Sequence, residues 1–481
     1  MARLIATVVF ALGIVGLFRL NREPGARTSK ALWIPAMWLF IAASRNVSDW
    51  LQMSSGGSTD YTEGSPLDRT VLTAILLLGV IVILIRHARM GALLRSNVPI
   101  LLFFFYCGVS VLWSDFPDVA SKRWFRACGD VVMVLIVLSE RDWQAAFRQL
   151  LSRLGFILVP LSILFIRYYP ELGRRYSRAG RPFWVGVATD KNALGMICLI
   201  FGLASVFRFL QLYQEKKPNR KTRELIAQGA LIAMTVYLLK EADSATALSC
   251  FGLAGSVMVL TYLYAWARKP AVMHLMVVAV LSVAFSALFL GIGSGLVEDL
   301  GRESTLTGRT AIWQSALGLV RNPLLGTGFE SFWIGPRLRQ VEIDINQGVN
   351  QAHDGYIEIF LNLGWVGIAL LGGLIVTGYR RVAPAVRQRT QLGSLRLAFL
   401  IVALAYNFTE GGFKMMHPVW IVFLLTIAIV PRNPSQRRPL KIGMQLDGSQ
   451  RTIDRPNKVQ DLIEEQTFSR DFANPHARFT G

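Results

Sequence analysis

Histidine, cysteine and acidic side chains are all scarce in this sequence. Its 481 residues include five histidines, four cysteines and 31 acidic residues against 51 lysines and arginines, for a formal net charge of +20. The histidines are scattered and no HExxH pair is present, so the sequence offers no zinc motif. The cysteines Cys107, Cys128, Cys198 and Cys250 lie in or beside apolar runs without paired spacing. We expect membrane-buried apolar side chains rather than disulfides or metal ligands.

Long polar stretches are also rare, because 53% of the residues are hydrophobic and apolar runs recur from end to end. Runs of this length predict an all-α polytopic membrane protein, since helices satisfy their own backbone hydrogen bonds in lipid. We expect about 12–13 transmembrane helices. The thirteen candidate spans are at about 3–18, 31–44, 70–85, 98–113, 127–139, 154–166, 192–213, 225–239, 247–265, 272–294, 356–378, 395–409 and 417–430.

These spans divide the chain into four regions. Residues 1–294 hold the first ten spans, 295–355 form one large outer loop with short amphipathic helices, and 356–430 hold the last spans. Residues 431–481 are polar and mixed in charge, with few apolar residues, which predicts a disordered cytoplasmic tail.

Basic residues between the spans predict the orientation. Six basic connections fall on the same side, which the positive-inside rule makes cytoplasmic. They begin near Arg19, Arg86, Arg141, Lys216, Arg268 and Arg380. The N-terminus and the 295–355 loop are then outside. The net charge accordingly indicates topology and anionic lipid headgroups as partners, not nucleic acid.

One basic cluster breaks this pattern on the predicted outer side. It follows Arg167 and consists of Arg174, Arg175, Arg178, Arg181 and Lys191. Either the span assignment is off by one, or the cluster binds an anion. We favour the anion.

The polar interval 305–358 contains an arginine suited to anion binding. Thr307 is placed to cap a helix that begins at Gly308 or Arg309 and ends before Pro323. The free N–H groups of a helix N-terminus, together with Arg309, suit a phosphate. An interfacial arginine that snorkels towards the headgroups accounts for the same residue.

The same interval ends on a candidate base, His353, just before the next span. A neutral imidazole can take a proton from an incoming hydroxyl, and Asp354 or Glu358 is placed to orient it. A histidine that only caps the helix is the alternative.

Four further acidic residues lie in or near apolar spans, where ionisable groups are functional candidates by default. They are Asp130, Glu241, Asp243 and Glu410. Pairing with arginine in the headgroup region is the alternative for each.

Four segments resemble the O-antigen ligase and polysaccharide polymerase superfamily of bacterial inner-membrane glycosyltransferases, and its exopolysaccharide-polymerase-like branch in particular. The resemblance covers roughly residues 99–430. The segments are GRTAIWQSALGLVRNPLLGTGFESFW (308–333), AHDGYIEIFLNLGWVG (352–367), GVATDKNALG (186–195) and LWSDFP (112–117).

The resemblance implies transfer of a glycan from an undecaprenyl-diphosphate carrier to an acceptor hydroxyl on the periplasmic face, without metal, cofactor or nucleotide sugar. Arg309 would hold the diphosphate and His353 would be the base. Two departures stand out: the family often has His-Asn where this chain has His353-Asp354, and commonly an arginine where it has Val185. Arg181 or Arg178 would then replace that arginine beside Lys191.

Two other classes of function are open. A transporter or flippase of lipid-linked saccharides predicts broken helices and internal repeats; neither is evident in the sequence, although Asp130 and Asn407 favour it. A membrane scaffold would leave Arg309 and His353 unexplained. Within the transferase reading, a polymerase, a ligase to lipid A core and a protein O-glycosyltransferase share the same residues and differ in the acceptor.

Overall fold

A computed structural model of the protein describes residues 1–21, 28–53, 65–177, 180–215, 218–289 and 306–431. Its regular structure is almost entirely helical. The longer helices are α1 (Ala2–Leu20), α2 (Trp33–Ala43), α3 (Pro66–Ile85), α4 (His87–Ser96), α5 (Val98–Val109), α6 (Pro117–Leu138), α7 (Trp143–Tyr168), α8 (Lys191–Gln214), α9 (Pro218–Ala242), α10 (Ala245–Leu263), α11 (Pro270–Phe289), α12 (Leu306–Gly318), α13 (Gly335–Ile345), α14 (Gly355–Arg387), α15 (Gly393–Tyr406) and α16 (Pro418–Ile427).

The remaining elements are short. One-turn helices are at Val47–Trp50 and Pro170–Gly173, and 3₁₀ turns are at Lys30–Leu32, Ser110–Trp113 and Trp266–Arg268. An antiparallel hairpin pairs β1 (Arg174–Tyr176) with β2 (Pro182–Trp184), so the predicted basic cluster begins on a hairpin that the sequence did not indicate.

The all-α polytopic fold is confirmed. Each predicted span overlaps one helix. Within the described part of the chain, seven helices are long and apolar enough to cross a membrane, or eight if His87–Ser96 and Val98–Trp113, bent by 86°, form one span. Four shorter apolar helices and α6, which belongs to neither group, account for the other predicted spans, so the count of 12–13 stays a prediction. The cysteines are free, and three of the four are fully buried, as expected.

Helix α8 is central to the bundle, whereas α1 is peripheral. In the most apolar stretch of α8, 72% is buried inside the protein, whereas the corresponding share in α1 is 11%. The exposed apolar side chains of α1 therefore suit contact with lipid. Burial of α8 fixes the place of its first residues, Lys191 and Asn192.

Connections gather at two ends of the bundle. At one end, Arg148 and Gln211 both donate to Gln391, over 3.1 and 2.7 Å, and Arg381 donates to Asn97 over 3.2 Å. These contacts join the start of α7 and the end of α8 to the connection after α14, and the last turns of α14 to the junction of α4 and α5. The starts of α8 and α14 are therefore at the opposite end.

Helix α14 is broken at Gly364, where φ is 63° and ψ is −163°. The break exposes backbone groups that pair with the loop before α13; we call the two segments, 323–328 and 361–366, the seam. Its bonds are Thr327 N to Leu361 O (3.1 Å), Gly328 N to Asn362 O (2.9 Å), Trp365 N to Pro323 O (2.9 Å) and Val366 N to Leu324 O (3.2 Å). A Cβ at Gly364 would lie 2.3 Å from Leu324 O, so glycine is required there.

The outer loop contains short helices, as predicted, but one detail of that prediction is wrong. Helix α12 begins at Leu306, so Thr307 is a residue inside the helix rather than its cap. Arg309 is still in the first turn. Residues 290–294 of the tenth predicted span, 295–305 of the predicted loop and 432–481 of the predicted tail lie outside the described residues, so the domain bounds and the disorder of the tail stay predictions.

Candidate functional site

An open cavity of about 990 Å³ lies at the end of the bundle where α8 and α14 begin and α15 ends. It brings together residues that the sequence indicated separately. Its polar lining includes Ser177 and Arg181; Thr189, Asp190, Lys191 and Asn192; Gln351 and His353; and Glu410 and Lys414.

Glu410 is the buried carboxylate at the centre of this site, with 8% of its side chain exposed. Asn192 Nδ2 donates to Glu410 Oε1 over 2.8 Å. Arg309 Nη2 lies 3.5 Å from Glu410 Oε1, and His353 Nδ1 lies 3.5 Å from Glu410 Oε2. Since a buried carboxylate needs partners of this kind, Glu410 joins the predicted arginine and the predicted base in one cluster.

His353 has a left-handed backbone, with φ 55°. Non-glycine residues adopt this conformation infrequently, and such positions cluster at functional sites. One third of the side chain, 33%, is exposed, on the wall of the cavity. The imidazole is therefore both held by neighbours and accessible to a substrate.

Asp354 and Glu358 do not orient His353, contrary to the expectation. Asp354 accepts hydrogen bonds from Tyr356 N and Ile357 N, both 2.8 Å long, and so caps α14. Glu358 accepts from Trp333 Nε1 over 2.8 Å and from Ala352 N. Of the described carboxylates, Glu410 is the one beside the imidazole.

Burial raises the pKa of Asp354 to about 6, against the lowering effect of its two backbone N–H partners. The cap position also explains the first departure from the family pattern. Asp and Asn cap helices equally well, so Asp354 can occupy a place where the family often has Asn.

Helix α12 is tied directly to the His353 loop. Trp313 Nε1 donates to Ala352 O over 2.7 Å. This bond holds the first turn of α12, and with it Arg309, beside the cluster.

Asn407 joins the two loops that carry His353 and Glu410. Its backbone oxygen accepts from Gly355 N, and its Oδ1 accepts from Gly412 N and Phe413 N, each over 2.8 Å. The start of α14 and the connection after α15 are thereby fixed to each other.

Two comparisons with known proteins bear on this geometry. Residues 228–372 match the family model described as O-antigen ligase. The chain is also 26% identical over 302 residues to the exopolysaccharide production protein ExoQ of Rhizobium meliloti (strain 1021). The chain is thus similar to O-antigen ligases and to an exopolysaccharide production protein. The alignment with ExoQ covers 59% of this chain and 65% of that protein, less than two thirds of its length.

The match to the O-antigen ligase family spans part of the site only. It includes Arg309, His353 and the break at Gly364, but ends before Glu410 and Lys414. The matched residues thus include Arg309 and His353, whereas Glu410 and Lys414 are identified by the geometry alone.

The basic cluster that broke the charge pattern lies at the same end as His353. Arg181 and Lys191 line the cavity, whereas Arg174 stacks 4.6 Å over the ring of Trp184. Arg178 lies outside the described residues. Of the two arginines expected to replace the one missing at Val185, Arg181 is therefore the one that is seen on the cavity.

Val185 itself is fully buried and donates its N–H to Gly173 O over 3.0 Å. A different arginine approaches the turn that follows it: Arg45 donates to Gly186 O over 2.9 Å and to Ala188 O over 3.1 Å. The guanidinium of Arg45 therefore has a structural role, because it binds the backbone carbonyls of this turn.

The remaining acidic candidates have other partners. Glu241 pairs with Arg167 and Asp243 with Lys191, each over 3.7 Å. Asp130 is buried, accepts from Trp38 Nε1 over 2.8 Å, and accepts from Met416 N over 2.9 Å. It therefore fixes the connection that carries Lys414.

Sequence reasoning missed two residues of the site, Gln351 and Lys414, and did not assign a role to Asn192. Lys414 Nζ donates to Gln351 Oε1 over 2.9 Å, and Gln351 Nε2 lies 3.2 Å from His353 Nδ1. The available signal was weak: Lys414 is the single basic residue between the last two predicted spans. Within the described residues, no three His, Cys, Asp or Glu side chains are placed to hold a metal ion.

Proposed function

We propose that the protein is a membrane glycosyltransferase that moves a glycan from an undecaprenyl-diphosphate carrier to an acceptor hydroxyl during polymerisation or ligation of surface polysaccharide. The observation that carries the proposal is the meeting of His353 and Glu410 on a cavity that Arg181 and Lys191 also line. The O-antigen ligase family and the similarity to an exopolysaccharide production protein support this class of substrate.

His353 acts as the general base in this proposal. Its imidazole takes the proton of the acceptor hydroxyl as the oxygen attacks the anomeric carbon of the donor glycan. Glu410, next to Nδ1, favours the tautomer that leaves the Nε2 lone pair free and stabilises the imidazolium that forms. The bond between the anomeric carbon and the phosphate oxygen breaks, and its electron pair leaves on the diphosphate.

Cationic side chains stabilise the leaving diphosphate. Arg181 and Lys191 face the cavity, and Arg309 stands behind Glu410 at 3.5 Å. A guanidinium has five N–H donors, so a contact with Glu410 leaves other donors of Arg309 for a phosphate. Fixed cations placed where negative charge develops lower the barrier without a metal ion.

The site belongs on the periplasmic face of the bacterial inner membrane in this proposal. Arg148 and Arg381, from predicted basic connections, make contacts at the opposite end of the bundle from the start of α8. The positive-inside rule makes that opposite end cytoplasmic. The acceptor is a glycan or lipid that reaches the outer surface.

The break in α14 is the one observation that favours a transporter, because discontinuous helices often bind substrates in transporters. Its freed backbone groups, however, pair with residues 323–328 rather than facing a cavity. A flippase remains the second candidate, and scrambling of lipid-linked glycans across liposomes by the purified protein would support it.

The test uses purified protein in liposomes with an undecaprenyl-diphosphate-linked glycan, no added metal, and mass spectrometry of the products. His353→Ala and Arg309→Ala should each reduce transfer by about 100-fold or more, the usual scale for losing acid–base or charge stabilisation. His87→Ala and Arg339→Ala, in exposed positions, are the matched controls. Wild-type transfer in both site variants, at equal protein levels, would overturn the proposal.

A further inference from the structure

His353 Nδ1 has two neighbours that make opposite demands on it. Gln351 Nε2 lies 3.2 Å away and Glu410 Oε2 lies 3.5 Å away. An amide N–H needs a lone pair on Nδ1, whereas an ionised carboxylate needs a proton there. A neutral imidazole satisfies one of the two, so these neighbours compete for its tautomer.

Lys414 fixes the orientation of the Gln351 side-chain amide. Its ammonium group is 2.9 Å from Gln351 Oε1 and can only donate, so the amide oxygen must face Lys414. The amide nitrogen then faces His353. With Lys414 in this position, Gln351 donates to Nδ1 and the proton of the imidazole belongs on Nε2.

The three side chains are closely fitted. A Cβ at Gly411 would stand 3.2 Å from Gln351 Oε1, so the glycine leaves room for the amide. Asp130 accepts from Met416 N over 2.9 Å and fixes the connection that carries Lys414. Gln351 and Lys414 both line the cavity in which an anionic substrate would be bound.

We propose that Lys414 and Gln351 are positioning residues that couple binding of a diphosphate in the cavity to the tautomer of His353. This inference rests on the proposed function. A diphosphate attracts the Lys414 ammonium away from Gln351, and the amide then no longer holds its N–H against Nδ1. Glu410 becomes the dominant partner, Nδ1 takes a proton from water while Nε2 releases one, and the Nε2 lone pair becomes available for the acceptor hydroxyl.

Such coupling has a chemical purpose. A base that is competent before the donor binds has no leaving group to assist, whereas this arrangement makes His353 basic at Nε2 only once the diphosphate is in place. Lys414 thus binds the diphosphate of the donor and, through Gln351, sets the tautomer of His353.

The experiment is ¹⁵N solid-state NMR of histidine-labelled full-length protein in nanodiscs, since the two tautomers give distinct nitrogen signals. A spectrum of His353→Ala identifies the His353 signals by difference. Inorganic diphosphate is the probe, with sodium chloride at equal ionic strength as the control. In the wild type, diphosphate should shift the protonated nitrogen from Nε2 to Nδ1.

Variants separate positioning from a general structural role. Lys414→Met should place the proton on Nδ1 with or without diphosphate, and Lys414→Arg should retain the response. Gln351→Leu removes the amide and leaves the lysine in place. It should also place the proton on Nδ1 with or without diphosphate, and it replaces Lys414→Met in the test if that variant does not fold. Lys240→Met, on the exposed end of α9, should respond like the wild type.

A wild-type protein that carries the proton on Nδ1 throughout, or that does not respond to diphosphate, overturns this inference. If His353→Ala still loses transfer in that case, the proposed function stands. If His353→Ala transfers glycan normally, the proposed function fails whatever the tautomer does.

Discussion

Two regions differ in how their polar groups are paired: the seam and the group formed by Arg309, His353 and Glu410, which we call the His353 cluster. In the seam, neutral backbone groups pair over 2.9–3.2 Å. In the cluster, Glu410 faces Arg309 and His353 over 3.5 Å. Short saturated bonds hold a fold, whereas longer contacts between ionisable groups leave capacity for a ligand. The segments that resemble the family therefore contain both a structural element, the break at Gly364, and the residues proposed for the chemistry, Arg309 and His353.

The largest effect is expected from breaking the seam. In Gly364→Ala, the new Cβ meets Leu324 O at 2.3 Å, at backbone angles that are essentially reserved for glycine. We expect loss of folded protein, measured as the monodisperse fraction after extraction in mild detergent.

Gly372→Ala, in the same helix, is the matched control, because a Cβ there has no neighbour within 4 Å. It should fold at least as well as the wild type, since alanine favours helix by about 1 kcal/mol over glycine. Equal yields of both variants would mean that the break in α14 is not a structural requirement.

An intermediate effect, on activity rather than folding, is expected from neutralising Glu410. Glu410→Gln can still accept the bond from Asn192 but loses the charge that faces Arg309 and His353. Transfer should fall by about 100-fold, the scale of a misdirected base. The measurement is the initial rate of transfer in liposomes, together with the thermal unfolding midpoint.

Glu241→Gln provides the control for charge alone. It removes a partly exposed ion pair with Arg167 at 3.7 Å, which contributes little free energy. Its transfer rate should stay within about twofold of the wild type, since such pairs are weak. Similar losses in both variants would indicate a general need for acidic charge rather than a specific role of Glu410.

The smallest effect concerns the cap next to the base. Asp354→Ala should lower the free energy of unfolding by about 1 kcal/mol through loss of the cap, while Asp354→Asn keeps it. Because the folded-state pKa of Asp354 is raised to about 6, the folded protein holds this proton more tightly than the unfolded chain. Ionisation therefore destabilises the wild type as pH rises from about 4 to 6, the interval between the ordinary and the folded pKa.

Thermal unfolding of the wild type and Asp354→Asn at pH 4.5 and 7.5 checks this prediction. The unfolding temperature of Asp354→Asn, relative to that of the wild type, should be higher at pH 7.5 than at pH 4.5. A difference that is independent of pH would contradict the assigned burial of the carboxyl group.

Much of the scaffold was predictable from the sequence because membrane helices follow from local composition. Apolar runs located the helices, and the positions of basic residues grouped their connections. The break at Gly364 was not predictable, since one glycine in an apolar run does not reveal that residues 323–328 pack against it. The start of α12 was also misplaced by treating Thr307 as a cap.

The site was predicted in parts. Arg309 and His353 were each found from local chemistry and resemblance, and Glu410 was recognised only as an acidic residue near a span. Its partnership with His353 joins positions 57 residues apart on different connections, which no local pattern encodes. Gln351 and Lys414 carry no motif at all, and only their distances reveal them.

Asn407 has a mechanical consequence. Its backbone oxygen binds the start of α14, and its Oδ1 accepts two hydrogen bonds within the connection after α15, so one residue links both segments. The base and its carboxylate then travel together when the cavity changes shape. If the cavity widens to admit a bulky substrate, we expect the movement in other parts of its lining, which include Arg181 of the β1–β2 hairpin.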